Sequence, residues 1–269
     1  MEELKHRLLK AMGLLSSNTE EWAQEAGRTF TQIHGLLDRP IEDTAFELVG
    51  KVQSLAAMKE RLGSVSPEAA ETVELLSGWT MKTFTEASRM VETQVIELKP
   101  LVVDGFVLDI GGGGEGVIGR LMGRQVVAID KSRSELEETA NEALKVEMDA
   151  TDLKFLDGSF DAVTSFYTLM YMDDETHRKV LREAYRVLKK GGALHVWDVA
   201  MDPDADSKPF ILVSVEARLP GETIKASYGH RLNKKLTIDS LSALGEDAGF
   251  TVAESRRLHD SFYLVLRKG

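Results

Sequence analysis

The sequence predicts an all-α segment over residues 1–99, then a doubly wound, mostly parallel α/β sheet over residues 100–269. Three observations carry that prediction. The first 99 residues show apolar side chains at intervals of three and four and almost no strand signal. From residue 101 short apolar runs alternate with helical patterns, the order that builds a parallel sheet covered by helices. The first of those runs, FVLDI, passes directly into GGGGEG, a turn whose backbone N–H groups can approach a ligand that a Cβ would push away.

In the helical half, Trp22, Ala26, Phe30, Ile33 and Leu37 form one stripe, with Ser17 and Glu20 as a capping box at its start and Pro40 at its end. Ile41, Ala45, Leu48, Val52 and Leu55 form a second stripe. Ser66-Pro67-Glu68 reads as a helix start with proline at the first helical position. Met81, Phe84, Val91, Val95 and Leu98 are expected to form a last helical stripe, closed by Pro100. No repeat of 20–50 residues is present, which excludes a solenoid.

In the second half, strands are expected at 106–110, 125–130, 145–148, 160–166 and 193–199, with helices at 115–122, 132–143, 173–189 and 237–248. The terminal FTVAESRRLHDSFYLVLRKG reads as an antiparallel pair around a turn near His259–Ser261. Between the fifth strand and that pair, ILVSVEARL and TIKASYG form a two-stranded ribbon, an insertion at about 208–232. Its place beside the carboxyl ends of the strands is where open α/β sheets bind ligands, so it is expected to shape the substrate site. His195 is expected to point inward from its strand, and His177 to lie exposed on a helix.

Composition narrows the functional classes. The chain has 269 residues, no cysteine and a net charge of −11, with the acidity spread over both halves. Disulfides, thiolate metal sites and a cysteine nucleophile are thereby excluded. The basic footprint of a nucleic-acid binder is missing, and no nucleic-acid partner is expected. The basic residues at 178–190 read as the solvated face of a helix. The start, MEELKHRLLK, lacks the apolar core of a secretory signal, and no apolar run reaches the roughly 18 residues that span a bilayer. A soluble, cytoplasmic protein without a membrane partner is expected, and a homodimer is left open.

Gly111, Gly113 and Gly116 satisfy G-x-G-x-x-G, a weak fingerprint when it stands alone. The residue two before the first glycine discriminates better. Asp109 would be unwelcome beside a pyrophosphate and suits a ligand that presents a cation there. On Asp109 and the glycines the sequence resembles the class I S-adenosylmethionine-dependent methyltransferases, whose first motif is an acidic residue, one spacer and G-x-G. The resemblance extends through VVAID, EMDATDL, DGSFDAVTSF and LREAYRVLKKGGALHVWDV, about 100 residues over 106–199 in family order. It implies a Rossmann-like sheet of seven strands closed by the terminal hairpin, with S-adenosylmethionine as cofactor. One position departs from the pattern, since Glu115 stands where the family commonly has a third glycine.

Residues are carried over one by one. Asp109, Gly111 and Gly113 are expected at the methionine end of the cofactor, Asp130 and neighbouring Lys131 at the ribose, and Asp149 and Ala150 at the adenine. Ser165 and Phe166, which close the fourth strand, complete the cofactor set. Methyl transfer is an in-line displacement, so the enzyme mainly positions the acceptor and excludes water. A general base is needed only if the nucleophile loses a proton. Tyr167, Tyr171, Asp198 and His230 are the catalytic candidates. The N-P-P-Y motif of amino-methylating relatives is absent from FYTLMYM. Trp79 is expected to roof the methionine end of the cofactor, which would make the helical half a lid. The expected acceptor is a small molecule, with a peptide or protein left open. Two rivals remain: an NAD-dependent oxidoreductase, sharing the glycines and Asp130, and a module that binds the cofactor without catalysis.

Overall fold

The computed structural model describes residues 1–269 and consists of two compact units, Met1–Ser88 and Arg89–Gly269. The first unit holds α1 (Glu2–Leu15), α2 (Glu21–Leu36), α3 (Ile41–Ala57), α4 (Lys59–Val65) and α5 (Pro67–Glu86). The expected stripes bury Ala26, Phe30 and Ile33 on α2 and Leu48, Val52 and Leu55 on α3, together with Leu8, Leu62 and Leu76. Ser66 caps α5, its hydroxyl accepting from the Ala69 amide at 3.2 Å, with Pro67 in the first turn. The cap expected on α2 is different. Glu20 is its N-cap and makes no side-chain cap bond, while Asn18 Oδ1 accepts from the Glu20 amide at 2.9 Å.

The expected helix over 81–98 is corrected. α5 stops at Glu86 and the chain continues as β1 (Ser88–Glu97). Along β1 and into the residue after it, Gln94, Ile96 and Leu98 are buried while Val95 is exposed, an alternation with period two. The buried polar Gln94 hid that alternation, and the chance spacing of Val91, Val95 and Leu98 imitated a helix. Met81, at the other end of the expected stripe, is exposed.

The second unit continues with β2 (Val107–Ile110), α6 (Val117–Met122), β3 (Val126–Asp130), α7 (Arg133–Glu138), β4 (Leu144–Glu147) and β5 (Phe160–Phe166). Then come α8 (Asp174–Val187), β6 (Leu188–Val199), β7 (Phe210–Arg218), β8 (Thr223–Arg231), α9 (Ile238–Asp247), β9 (Phe250–Leu258) and β10 (Ser261–Lys268). Seven strands form one mixed α/β sheet in the order β4-β3-β2-β5-β6-β10-β9. The first five run parallel, and β10 pairs antiparallel with both β6 and β9. The central strands are buried along their length, as the short apolar runs require. Phe106, expected within the first strand, lies one residue outside it and is exposed. β6 starts at Leu188, ahead of the expected start at 193, so the Gly191-Gly192 pair lies inside the strand.

The ribbon of β7 and β8 is present in the register Ser214↔Ser227 and Glu216↔Lys225. It is not a free two-stranded insertion, because β1 joins it in a three-stranded sheet of order β1-β7-β8. α7 is also shorter than the expected 132–143. Thr139 Oγ1 donates to the Gly114 carbonyl at 2.9 Å and Asn141 Nδ2 to the Gly116 carbonyl at 3.1 Å. Side chains of this type compete with helical backbone bonds, and here that competition anchors the glycine turn.

Candidate active site

The carboxyl ends of β2, β3, β4 and β5 converge on two cavities, of about 410 and 350 Å³. They share Gly111, Asp130, Thr168 and Tyr171 as walls, so they adjoin. The smaller holds Asp109, the glycine turn, Phe166, Tyr167 and Tyr228. The larger holds Lys131, Met148, Asp149, Ala150 and Thr151.

Asp109 is 2% exposed. Its Oδ1 accepts from Thr164 Oγ1 at 2.7 Å, a contact set by the parallel register Asp109↔Thr164. Burial pushes its carboxyl up to about 7, the Thr164 hydroxyl works against that rise, and nearby Asp130 adds to it. A cation bound here would restore the ionised form. Gly111 has φ +71°, and a Cβ on it would lie 2.3 Å from the Thr168 side chain. A Cβ on Gly113 would lie 2.7 Å from Glu135 Cβ and 3.0 Å from Asp130 Oδ2, so that glycine lets the Asp130 carboxylate stand over the turn. The Ser132 amide donates to Asp130 Oδ1 at 2.8 Å and fixes it at the end of β3.

Asp149 follows β4. Burial would raise its carboxyl, but hydrogen bonds from the Thr151 amide (2.8 Å) and hydroxyl (2.7 Å) and an ion pair with Lys131 (3.0 Å) hold it below its ordinary value. Ala150 is buried in the same wall. Phe166 lines the smaller cavity, edge-on to Tyr167 at 5.0 Å. Ser165 does not join them. It is buried, lines neither cavity, and its Oγ has no hydrogen-bond partner. Trp79 belongs to the helical unit, where it packs against the core and lines a cavity with Leu36, Leu48 and Thr83. Neither cavity at the strand ends includes it among its walls.

The catalytic candidates divide. Tyr167 sits at φ +51° and is 1% exposed. Its hydroxyl pairs with Ser261 Oγ at 2.7 Å, and burial pushes its phenol far above the ordinary value. That is a packing and pairing role, and the expected role in deprotonating an acceptor is withdrawn. Tyr171 is half-exposed and walls both cavities. Burial of its phenol group pushes it up to about 12 despite a hydrogen bond from the Gly229 backbone, so it is a neutral donor near pH 7. His230 lies edge-on to Tyr171 at 5.4 Å, with Nε2 3.1 Å from Lys234 Nζ. Burial, then Lys234 and Arg231, push it down to about 4, so it is a neutral imidazole.

Asp198 is fully buried and lines neither cavity. It accepts from the Met170 amide at 3.2 Å and the Val199 amide at 2.8 Å. It therefore braces the 3-10 turn Leu169–Tyr171 and does not face the pocket. His177 is a second correction. Expected on the surface, it is 1% exposed, and Nε2 meets the Leu169 carbonyl at 2.8 Å. The stripe His177, Val180, Leu181, Ala184 and Val187, all buried on α8, was the signal that would have placed it. His195 is half-buried on β6, with Nδ1 2.8 Å from the Tyr263 hydroxyl. The structure also adds Glu115, Glu135, Thr168 and Tyr228 to the smaller cavity.

Three carboxyl groups, from Asp109, Asp130 and Glu135, thus surround the glycine turn. Burial, then Asp130, Glu138 and Glu115, raises the Glu135 carboxyl. This field repels a pyrophosphate and favours a ligand with a sulfonium and an ammonium group. Residues 108–196 match the family described as "Methyltransferase domain". Over those residues the chain carries a methyltransferase domain. It is similar to the 27-O-demethylrifamycin SV methyltransferase of Amycolatopsis mediterranei, 32% identical over 45% of this chain and 48% of that protein. It is also similar to the ubiquinone/menaquinone biosynthesis C-methyltransferase UbiE of Desulfotalea psychrophila, 34% identical over 54% of this chain and 65% of that protein. The matched stretch spans less than two thirds of either relative. A solved S-adenosylmethionine-dependent methyltransferase from Methanosarcina mazei is 21% identical, with a TM-score of 0.46, covering 64% of this chain and 99% of that one. The donor set fits S-adenosylmethionine: carboxylates at both ends of the joined cavities and a turn without side chains between them.

Proposed function

We propose that the protein transfers a methyl group from S-adenosylmethionine to a small-molecule acceptor by in-line displacement. The observation that carries this reading is the pair of adjoining cavities, one walled by Asp109 and the glycines, the other by Asp149 and Ala150, with Asp130 between them. The names of two relatives, one of 27-O-demethylrifamycin SV and one of ubiquinone/menaquinone biosynthesis, support a small-molecule acceptor. No helix is long and apolar enough to cross a membrane.

The cofactor supplies a methyl group on a positively charged sulfur with a neutral leaving group. The chain's own residues do the rest. Asp109 holds negative charge at the methionine end, and Asp130 accepts from ribose hydroxyls. Thr151, and after it Lys131, keep the Asp149 carboxylate ionised beside the adenine wall. Phe166 and the buried ring of Tyr167 exclude water from the reacting centre, which strengthens every electrostatic contact there. Tyr171, held by the braced turn, presents a neutral hydroxyl between the two cavities.

Titration calorimetry tests the first half of this reading. S-adenosylhomocysteine should bind in the micromolar range, about −8 kcal/mol, and NAD(H) should not bind. Incubation with methyl-labelled S-adenosylmethionine and a metabolite extract, followed by mass identification, should place the label in a small molecule. Label confined to protein, or NAD binding of similar strength, would refute it.

A further inference from the structure

Glu115 is the one position where the turn departs from the family pattern, and the cofactor reading leaves it unused. Its backbone is fixed, since Arg120 Nε donates to its carbonyl at 3.0 Å. Its side chain points elsewhere: Oε2 is 3.5 Å from the Tyr228 hydroxyl on β8. The Tyr228 ring in turn stacks on Tyr167, with centroids 5.1 Å apart and planes 7° from parallel. Burial, then Glu115, keeps the Tyr228 phenol protonated. Glu115 and Tyr228 therefore tie the glycine turn to the three-stranded sheet at the edge of the smaller cavity.

A further cavity adjoins that tie at Glu115. It has about 340 Å³, and its walls include Thr93, Ser214, Glu216 and Lys225 from the polar face of the three-stranded sheet. Glu115 and Ser227 are walls of both this cavity and the cofactor cavity. The outer cleft and the cofactor cavity thus adjoin at Glu115 and Ser227.

We propose that the methyl acceptor enters from the three-stranded sheet, and that Glu115 and Tyr228 are its positioning and specificity residues. The proposal rests on the methyltransferase reading above. The chemistry at the passage states the acceptor class. A carboxylate only accepts hydrogen bonds, so the acceptor presents an O–H or N–H group to Glu115. The half-buried Tyr228 ring, backed by the buried ring of Tyr167, lines the cavity as an apolar surface, so the acceptor carries an aromatic or conjugated body there. The Glu115 carboxylate at the passage repels a carboxylate acceptor.

The test uses the full chain saturated with S-adenosylhomocysteine and three ligands of one shape, a naphthol, a naphthylamine and a naphthoate, titrated by ligand-observed NMR. In the wild type the naphthol and the naphthylamine should bind at least about tenfold tighter than the naphthoate, as a charge-assisted hydrogen bond allows. Glu115→Gln, which keeps the shape and removes the charge, should reduce that preference to about twofold or less while leaving S-adenosylhomocysteine affinity within about twofold. Tyr228→Leu should weaken all three ligands by about two- to tenfold, the range of a lost aromatic pair. A wild-type preference below about threefold, a preference that survives Glu115→Gln, or a Glu115→Gln protein that no longer holds S-adenosylhomocysteine overturns the proposal. Failure of the wild type to bind S-adenosylhomocysteine at all would instead remove the methyltransferase reading on which it stands.

Discussion

Asp109→Asn should move cofactor affinity and apoprotein stability in opposite directions. Asp109 is buried beneath the glycine turn with one hydroxyl partner, and its carboxyl titrates at about 7 in place of 3.8. The sign of the linkage is the reverse of the usual carboxylate case. Between about pH 4 and 7 the folded apoprotein holds a proton that the unfolded chain has released, so stability falls as pH rises through that window. At about 1.4 kcal/mol per decade the ionised carboxylate destabilises the fold by at most roughly 4 kcal/mol above pH 7. Asparagine keeps the shape and still accepts from Thr164, so it should recover a fraction of that, on the order of 1–2 kcal/mol at pH 8. Thermal unfolding of the apoprotein should shift up by a few degrees. Cofactor binding should weaken by about ten- to a hundredfold, the loss of a charge-assisted hydrogen bond of roughly 1.5–3 kcal/mol. In the wild type, calorimetry in buffers of different ionisation enthalpy should show proton release on binding below pH 7, and the variant should show less. An Asp109→Asn protein that binds S-adenosylhomocysteine normally, or that is less stable without it at pH 8, refutes the electrostatic account of the first motif.

Asp130→Ala should lower S-adenosylhomocysteine affinity at least about tenfold, since it removes hydrogen bonds to a charged acceptor worth about 1.5–3 kcal/mol each, with the far-ultraviolet circular dichroism unchanged. Gly113→Ala places a methyl group 2.7 Å from Glu135 Cβ and 3.0 Å from Asp130 Oδ2. Calorimetry should read this as a loss of at least about tenfold, ~1.4 kcal/mol, and normal affinity would show that Asp130 does not need that space. Tyr167→Phe removes a hydroxyl committed to Ser261 at 2.7 Å. Denaturant unfolding should report a cost of about 1 kcal/mol, with turnover within about twofold, and a much larger loss of turnover would return Tyr167 to acid–base duty.

The sheet was legible because its strands are short, apolar and bounded by turn residues. Each expected strand of the parallel set matches an observed one, within a residue at β2 and β3, while β6 starts earlier than expected. β1 was not legible. Its single buried amide, Gln94, breaks the apolar alternation that marks a strand, and its partner β7 lies more than a hundred residues away. The walls of the two cavities were readable because chemistry fixes them locally: Asp109, Gly111, Gly113, Asp130 and Asp149 stand at strand ends or in the turn that follows. Tyr228 was not readable. It reaches the cavity from the three-stranded sheet, and only the tertiary fold reports its stacking on Tyr167.

The residues misread in role share a cause, and it bears on how the site works. Asp198 looked like a catalytic candidate at a strand end, and His177 like an exposed histidine on a helix. Both are buried and both hold the same short turn, Asp198 through the Met170 amide and His177 through the Leu169 carbonyl. That turn carries Tyr171, and it follows Thr168, whose side chain fills the space left by the missing Cβ of Gly111. Thr168 and Tyr171 are two of the four walls common to both cavities. A loop in that position would drift if held only by its own backbone bonds. Fixing it with an acceptor from β6 and a ring nitrogen from α8 ties the shared wall to two rigid elements, which is what an in-line displacement demands of its surroundings. The buried carboxylate at 198 is therefore retained for geometry, and burial pushes it up to about 7 against the hydrogen bonds that give it that role. Position along the chain does not separate such a brace from a proton-transfer group. Burial and the identity of the donors do.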